Sequence, residues 1–375
     1  MIPRLLEDSL RNRWNSGKAL VVMGPRQVGK TTLLRKLCDE QGSYLFLNAD
    51  EADVRLQLEN ANLTRLRQLI GLNKVVFVDE AQRVRNIGLT LKLITDQLPD
   101  VRLLVSGSSS LDLANQINEP LTGRKFEFRL YPISWQELVT SQGFLEARRQ
   151  LETRLLYGFY PDVVTNLGDE QAILKELSSS YLYKDLLTFG GIRRPELLDK
   201  LLVALALQVG SEVSYNELSR LLQIDRATVE SYIGLLEKAF IVFRLQPFSR
   251  NLRSEISSSR KIYFYDNGIR NAILADFKPL DLRGDVGALW ENFLISERQK
   301  YLHYNGQWVR SYFWRTHQQQ EIDYMEEQDG AFRAFEFKWN PNAKTRFPKP
   351  FVETYQPEVL EVLHRDNFDK FVGIA

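Results

Sequence analysis

Eight residues near the start of the chain spell a phosphate cradle. Gly24-Pro25-Arg26-Gln27-Val28-Gly29-Lys30-Thr31 fits the pattern Gly-x-x-x-x-Gly-Lys-Ser/Thr without a mismatch. Such a loop must bend until successive backbone N–H groups converge on phosphate oxygens. Glycine at 24 and 29 permits the bend and leaves room for the ligand. A helix opening near Lys30 would aim its positive end at the same oxygens. Lys30 would reach the β- and γ-phosphates, the Thr31 hydroxyl would hold magnesium, and Thr32 would complete the first turn of the cradle.

A second group follows an apolar run. Val75-Val76-Phe77-Val78 ends in Asp79-Glu80. Beside a phosphate loop, Asp79 would hold magnesium through water and Glu80 would polarise the water that attacks the γ-phosphate. Taken alone, such a pair is equally suited to capping a helix. Ser106-Gly107-Ser108-Ser109-Ser110 closes another apolar run, where Ser106 would sense the γ-phosphate, or its neighbours would cap a helix. Arg124, after Gly123, is either a charge-stabilising arginine, serving its own chain or a neighbour, or a surface residue.

A third group lies near the C-terminus. Glu291 falls in a helical pattern, Asp323 in a strand pattern, and Glu336-Phe337-Lys338 in the next strand pattern. Strand alternation puts Glu336 and Lys338 on one face. The order resembles the Glu…Asp…Glu-x-Lys set of restriction-type nucleases, in which carboxylates hold magnesium and a lysine assists the attacking water. Two other readings stay open: a solvated strand face, or the same fold used for docking or oligomerisation.

These groups need elements to hold them. KALVVMG (18–24), YLFLNAD (44–50), KVVFVD (74–79) and VRLLVSG (101–107) read as buried strands, with helical patterns at 31–40, 62–72 and 87–98 between them. Continuous apolar strands alternating with helices predict a parallel sheet covered on both faces. KFEFRLYPIS (125–134) supplies a fifth strand. Beyond it, GFYPD (158–162) breaks a helical stretch, and helical patterns follow at 176–187 and 195–208. Helices at 214–223 and 226–240, separated by Ile224 and Asp225 and followed by IVFRLQPF (241–248), resemble a winged helix-turn-helix. Thr228, Ser231 and Tyr232 would face a DNA groove. Arg250, Arg253, Arg260 and Lys261, with only Glu255 among them, would meet phosphates. The competing reading is a module that packs on protein and touches no DNA. DVGALWENFLISERQKYL (285–302) predicts one long amphipathic helix, and 310–315, 321–325 and 331–339 predict strands.

Composition sets outer limits. The 375 residues suggest roughly two or three domains. With 44% hydrophobic and 26% charged residues, wholesale disorder is excluded. A net charge of +1 gives no global field for nucleic acid or membrane, so either partner would need a local patch. The single cysteine, Cys38, excludes a disulfide scaffold, and His303, His317 and His364 make no zinc pattern. The first residues do not read as a signal peptide, and no run is long and apolar enough to span a bilayer. The expectation is a soluble cytoplasmic protein without a membrane partner.

Taken together, GPRQVGKTTLL (24–34), VDEAQ (78–82), SGSSS (106–110), LTGRKFEFRLYPIS (121–134), GFYPD (158–162), KIYFYDNGIRNAIL (261–274), WENF (290–293), FWRTHQQQEIDY (313–324) and FEFK (335–338) resemble the AAA-type P-loop ATPases that carry a C-terminal DUF4143-like domain of unknown function. The resemblance covers essentially the whole chain. In this chain GFYPD replaces the family's more usual Gly-Gly-x-Pro. The resemblance implies an α/β fold: an AAA-like P-loop NTPase αβα sandwich (1–140), a helical linker region (141–195), a winged-helix module (196–280) and a restriction-endonuclease-like α/β domain (281–375). It implies ATP and magnesium as ligands, with hydrolysis rearranging the C-terminal modules, DNA as a partner, and nucleotide-dependent homo-oligomers. An ATP-driven switch on protein partners and a nucleotide-gated nuclease remain as alternatives.

Overall fold

Ala19–Met23 (β1) is apolar at every position, and all five residues are buried. The same holds for Val75–Asp79 (β3), whose final residue is the acid, and Arg102–Gly107 (β4) is buried from Leu103 onward. Strands of this kind need cover on both faces, which parallel sheets receive from crossover helices. With Leu45–Asn48 (β2) and Lys125–Arg129 (β5) they form a five-stranded sheet in the order β2-β3-β4-β1-β5, parallel at every pairing. The computed structural model describes residues 2–108, 117–181, 194–249, 260–316 and 318–374. The chain divides into two units, the first running to Ile133 and the second holding most of the remainder.

In the first unit, helices Leu6–Arg13 (α1), Lys30–Asp39 (α2), Ala52–Leu58 (α3), Leu63–Ile70 (α4) and Ile87–Gln97 (α5) accompany the sheet. Leu33, Leu34, Leu37 and Cys38 form the buried face of α2. Register puts Val22, Ser106 and Asp79 level across three adjacent strands, one residue short of the sheet's C-terminal edge. Ligands of open α/β sheets bind beyond that edge.

The second unit is built on a mixed seven-stranded sheet in the order β12-β11-β10-β9-β7-β8-β6. Its strands are Glu212–Val213 (β6), Val242–Pro247 (β7), Arg260–Phe264 (β8), Arg310–Arg315 (β9), Glu321–Gln328 (β10), Ala331–Phe337 (β11) and Val359–Leu363 (β12). Helices Tyr215–Leu222 and Arg226–Lys238 lie between β6 and β7. Strands β6–β8 and β9–β12 share one sheet, because β7 pairs in parallel with β9 at Gln246↔Tyr312 and Pro247↔Phe313.

Helix Val286–Tyr304 departs from the amphipathic expectation. Leu289, Trp290, Phe293, Leu294 and Ile295 are buried, but so are Asn292, Ser296, Glu297, Arg298 and Lys300. Each polar group is satisfied internally. Arg298 binds both oxygens of Glu326 at 2.6 and 2.8 Å, Lys300 pairs with Glu297 at 2.6 Å, and the Asn292 carboxamide brackets the Phe264 N–H and C=O. Buried charges persist only when paired in this way. Trp290, Phe293 and Phe368 fill the same region with ring centroids 5.0–5.6 Å apart.

The GFYPD and YDNG segments interlock. Gly158 takes φ +70, and a Cβ there would lie 2.0 Å from Asp266 Oδ1. Buried Asp266 accepts from the Phe159 N–H at 2.6 Å and from the Ile269 N–H at 3.2 Å, capping helix Asn267–Leu274. The Asn271 side chain donates to the Leu156 carbonyl at 2.8 Å. Gly158 is thus a position where only glycine fits, although the Gly-Gly-x-Pro spelling is absent. Among the described residues no helix is long and apolar enough to cross a membrane.

Candidate functional site

β1 delivers Gly24 to the C-terminal edge of the first sheet. A Cβ at Gly24 would lie 2.0 Å from the Leu130 carbonyl oxygen, so the loop starts in contact with the backbone leaving β5. Gln27 (φ 59) and Gly29 (φ 92) adopt left-handed backbone, which turns the chain into α2 at Lys30. Lys30 is buried and donates from Nζ to the Gly24 and Pro25 carbonyls at 2.9 and 2.7 Å. Arg4 braces the loop: its Nη1 donates to the Val28 carbonyl and its Nη2 to the Tyr131 carbonyl, both at 2.6 Å. Arg26 lies between Pro25 and Gln27 in the bend, and Thr32 is in the first turn of α2.

The structure brings the acids to this loop. The Thr31 hydroxyl donates to Asp79 at 2.9 Å to Oδ2 and 3.2 Å to Oδ1. Ser106, fully buried, donates to Asp79 Oδ1 and accepts from the Glu80 N–H at 3.3 Å. Glu80 holds left-handed backbone (φ 51, ψ 41) at the head of the short 3-10 turn Ala81–Arg83. A non-glycine residue there is strained, and such strain concentrates at functional sites. Gln82, buried, donates from Nε2 to Glu80 Oε2 at 2.5 Å and to Ser108 Oγ at 2.9 Å. A hydroxyl and a carboxylate 2.9 Å apart are the hard oxygen donors that suit magnesium, so Thr31 and Asp79 fit that ion.

Arg124 is not part of this assembly. Its carbonyl accepts from Ala19 N–H at the start of β1, whereas the phosphate loop leaves the other end of that strand. Its guanidinium pairs with Asp96 at 2.5 Å. The whole length of β1 separates it from the loop, so it does not serve the loop of its own chain. Sequence reasoning missed Arg4 and Gln82. Gln82 lay in view within VDEAQ; nothing in the sequence marks Arg4. Ser109 and Ser110 lie outside the described residues.

The C-terminal set also converges. A bulge between Ile322 and Met325 in the β9–β10 pairing displaces Asp323, whose Oδ2 accepts from the Phe337 N–H at 2.8 Å. Lys338 lies 3.1 Å from Glu336 and 3.6 Å from Asp323. Glu291 accepts from Tyr263 OH at 2.6 Å and Lys261 Nζ at 3.1 Å, and Lys261 also pairs with Glu321 at 2.5 Å. Burial, reinforced by Asp323, pushes Glu291 and Glu336 up to about 7, although lysines oppose the shift. Among the described residues no three His, Cys, Asp or Glu side chains are arranged to hold a metal ion. Lys261 pairs with both Glu291 and Glu321 beside this set. Lys261 is correspondingly buried rather than on the basic surface proposed for DNA phosphates, and Arg260 stands over the Tyr215 ring. Arg250 and Arg253 lie outside the described residues.

A parallel sheet with a phosphate loop at its C-terminal edge and paired acids on the strand two places away defines a P-loop ATPase domain of the AAA type. Residues 16–139 match the model of an AAA domain, 148–280 match a domain of unknown function, DUF8612, and 286–370 match another, DUF4143. The chain thus carries an AAA-domain match and a C-terminal DUF4143 match together. An uncharacterized protein of Mycobacterium tuberculosis is 28% identical over 334 residues, covering 88% of this chain and 72% of its own. An uncharacterized protein of Methanocaldococcus jannaschii is 25% identical over 307 residues, covering 76% of this chain and 67% of its own. The Walker-type ATPase of Pyrococcus abyssi has the same fold at a TM-score of 0.53 and 16% identity, covering 73% of this chain and 96% of its own.

Proposed function

We propose that the chain binds ATP with magnesium at residues 24–31, hydrolyses it, and uses the cycle to rearrange its C-terminal segments on DNA. The observation that carries the first part is the Thr31–Asp79 contact at 2.9 Å beside a loop whose lysine is already turned inward. The Lys30 ammonium and the backbone N–H groups of Gly29, Lys30 and Thr31 hold the phosphates. Thr31 and Asp79 hold the metal, which when bound neutralises phosphate charge. Ser106 fixes Asp79, and Glu80 takes the proton of the attacking water.

DNA is the favoured partner because helix Pro195–Leu207, β6, two further helices, β7 and β8 follow in the order of a winged helix-turn-helix. The nuclease reading of the C-terminal set has less support, since Lys261, which is no part of that set, neutralises Glu291 and Glu321. A protein-partner switch would leave turnover indifferent to DNA.

The test is ATP turnover with and without duplex DNA at two salt concentrations. Lys30→Ala should lose nucleotide binding, and Glu80→Gln should keep binding and stop turnover. Equal loss of binding in both refutes the assigned roles. Turnover that DNA does not change refutes the DNA part alone.

A further inference from the structure

Gln82 is the one polar member of the VDEAQ segment that the proposed chemistry leaves without a task, yet its side chain is only 4% exposed. Its amide nitrogen is fully used, donating to Glu80 Oε2 at 2.5 Å and to Ser108 Oγ at 2.9 Å. Its carbonyl oxygen, Oε1, is buried and receives no hydrogen bond from any described residue. Turning the amide over would bring that oxygen against the Glu80 carboxylate, acceptor against acceptor, so chemistry fixes the orientation. A buried acceptor left unmatched by the described residues costs stability and calls for a further donor.

The unmatched oxygen shares its carbon with the nitrogen bound to Glu80. It therefore belongs to the side chain that holds the carboxylate assigned as base. A water between Glu80 and Gln82 would have each hydrogen on a separate acceptor and its lone pair turned away from both. That is the orientation a nucleophile needs, and fixing it removes orientational freedom before the reaction. Ser108 anchors the amide from the end of β4, so the water site depends on two strands of the sheet.

We infer that Gln82 completes the hydrolytic water site: its amide N–H holds Glu80 and its carbonyl takes the second hydrogen of the attacking water. This rests on the ATPase reading above. As the water oxygen bonds to the γ-phosphorus, the bond to the β–γ bridging oxygen breaks and ADP leaves. One water proton passes to Glu80, and the other stays on the phosphate product. Gln82 exchanges no proton and carries no charge change.

The experiment is steady-state ATP turnover together with calorimetric binding of a non-hydrolysable ATP analogue, on full-length wild type, Gln82→Met and Gln82→Glu. Methionine keeps the length and volume and removes both polar functions. Glutamate keeps an acceptor but loses the donor and sets like charges side by side. Both variants should lower kcat by about 100-fold, the scale seen when one positioned transition-state contact is removed. Analogue affinity and the thermal midpoint of Gln82→Met should stay within about threefold and a few degrees of wild type. Met-variant turnover at the wild-type rate overturns the inference while leaving the ATPase reading intact. A raised KM with unchanged kcat also overturns it, since it places Gln82 in ground-state binding. A collapse of analogue binding in the fully folded Met variant overturns it for the same reason. Wild-type protein that binds the analogue and shows no turnover overturns the ATPase reading and this inference together.

Discussion

Arg4→Ala should weaken the phosphate loop without touching any residue of its motif. The guanidinium makes two hydrogen bonds of 2.6 Å to backbone carbonyls, one at Val28 inside the loop and one at Tyr131 just beyond β5. It is 9% exposed, so solvent screens these bonds little. A hydrogen bond from a charged donor contributes about 1.5–3 kcal/mol, and a buried carbonyl left unmatched costs about 1–3 kcal/mol. Two bonds at the lower bound give about 3 kcal/mol, roughly 100-fold in an equilibrium constant. That energy can appear in two places. If the whole first unit loosens, the urea midpoint falls. If only the loop opens, the binding-competent fraction falls and apparent ATP affinity drops by the same roughly 100-fold. Urea unfolding and calorimetric ATP titration of the same sample separate the two. Arg4→Lys, with one ammonium for two carbonyls, should lose about half as much. A variant with its unfolding free energy within about 0.5 kcal/mol of wild type and ATP affinity within about twofold would show that the arginine braces nothing.

Gly158→Ala should cost about 3 kcal/mol or more, because the new Cβ would meet Asp266 Oδ1 at 2.0 Å and that carboxylate cannot turn away without dropping Phe159 and Ile269; a wild-type urea midpoint would refute the interlock. Stability should fall as pH rises from about 4.5 to 7, since folded Glu291 and Glu336, raised to about 7, bind protons that the unfolded chain has already released. Glu291→Gln should flatten that slope, and an unchanged slope in urea titrations at three pH values would contradict the assignment. Burial pushes the Cys38 thiol up to about 12, so the native protein should resist alkylation at pH 8 and react once unfolded in urea; rapid native labelling would refute its burial.

The strands carrying the phosphate loop and the acid pair are legible because nearly every position in them is apolar, a pattern that only a doubly covered sheet rewards. The short β6, two residues long, and β12, with Leu360 and Glu361 both exposed, offer no comparable pattern. Helix Val286–Tyr304 misleads because its polar residues face internal partners that lie far away in sequence, such as Glu326 for Arg298. Arg124 cannot serve the loop of its own chain for a topological reason: β5 runs parallel to β1, so the residue preceding it falls at the opposite sheet edge from the loop. No local spacing encodes strand order. Asp323 lies close enough to Glu291 and Glu336 to push both upward, yet among the described residues no three such side chains are arranged to hold a metal ion, and Lys261 arrives among them from β8, a neighbour of which the sequence gives no warning.

The parallel pairing of β7 with β9 has a practical corollary for anyone dissecting the molecule. A truncation ending at residue 280 would retain β6, β7 and β8 yet strip the outer flank of β7, exposing unpaired N–H and C=O groups at Gln246. Naked ladders of that kind recruit other chains. Fragments should therefore span 134–374 as a piece, keeping Phe159 and Leu156 with their partners Asp266 and Asn271, and clumping of a shorter one would report a severed seam rather than an intrinsically unstable helix pair.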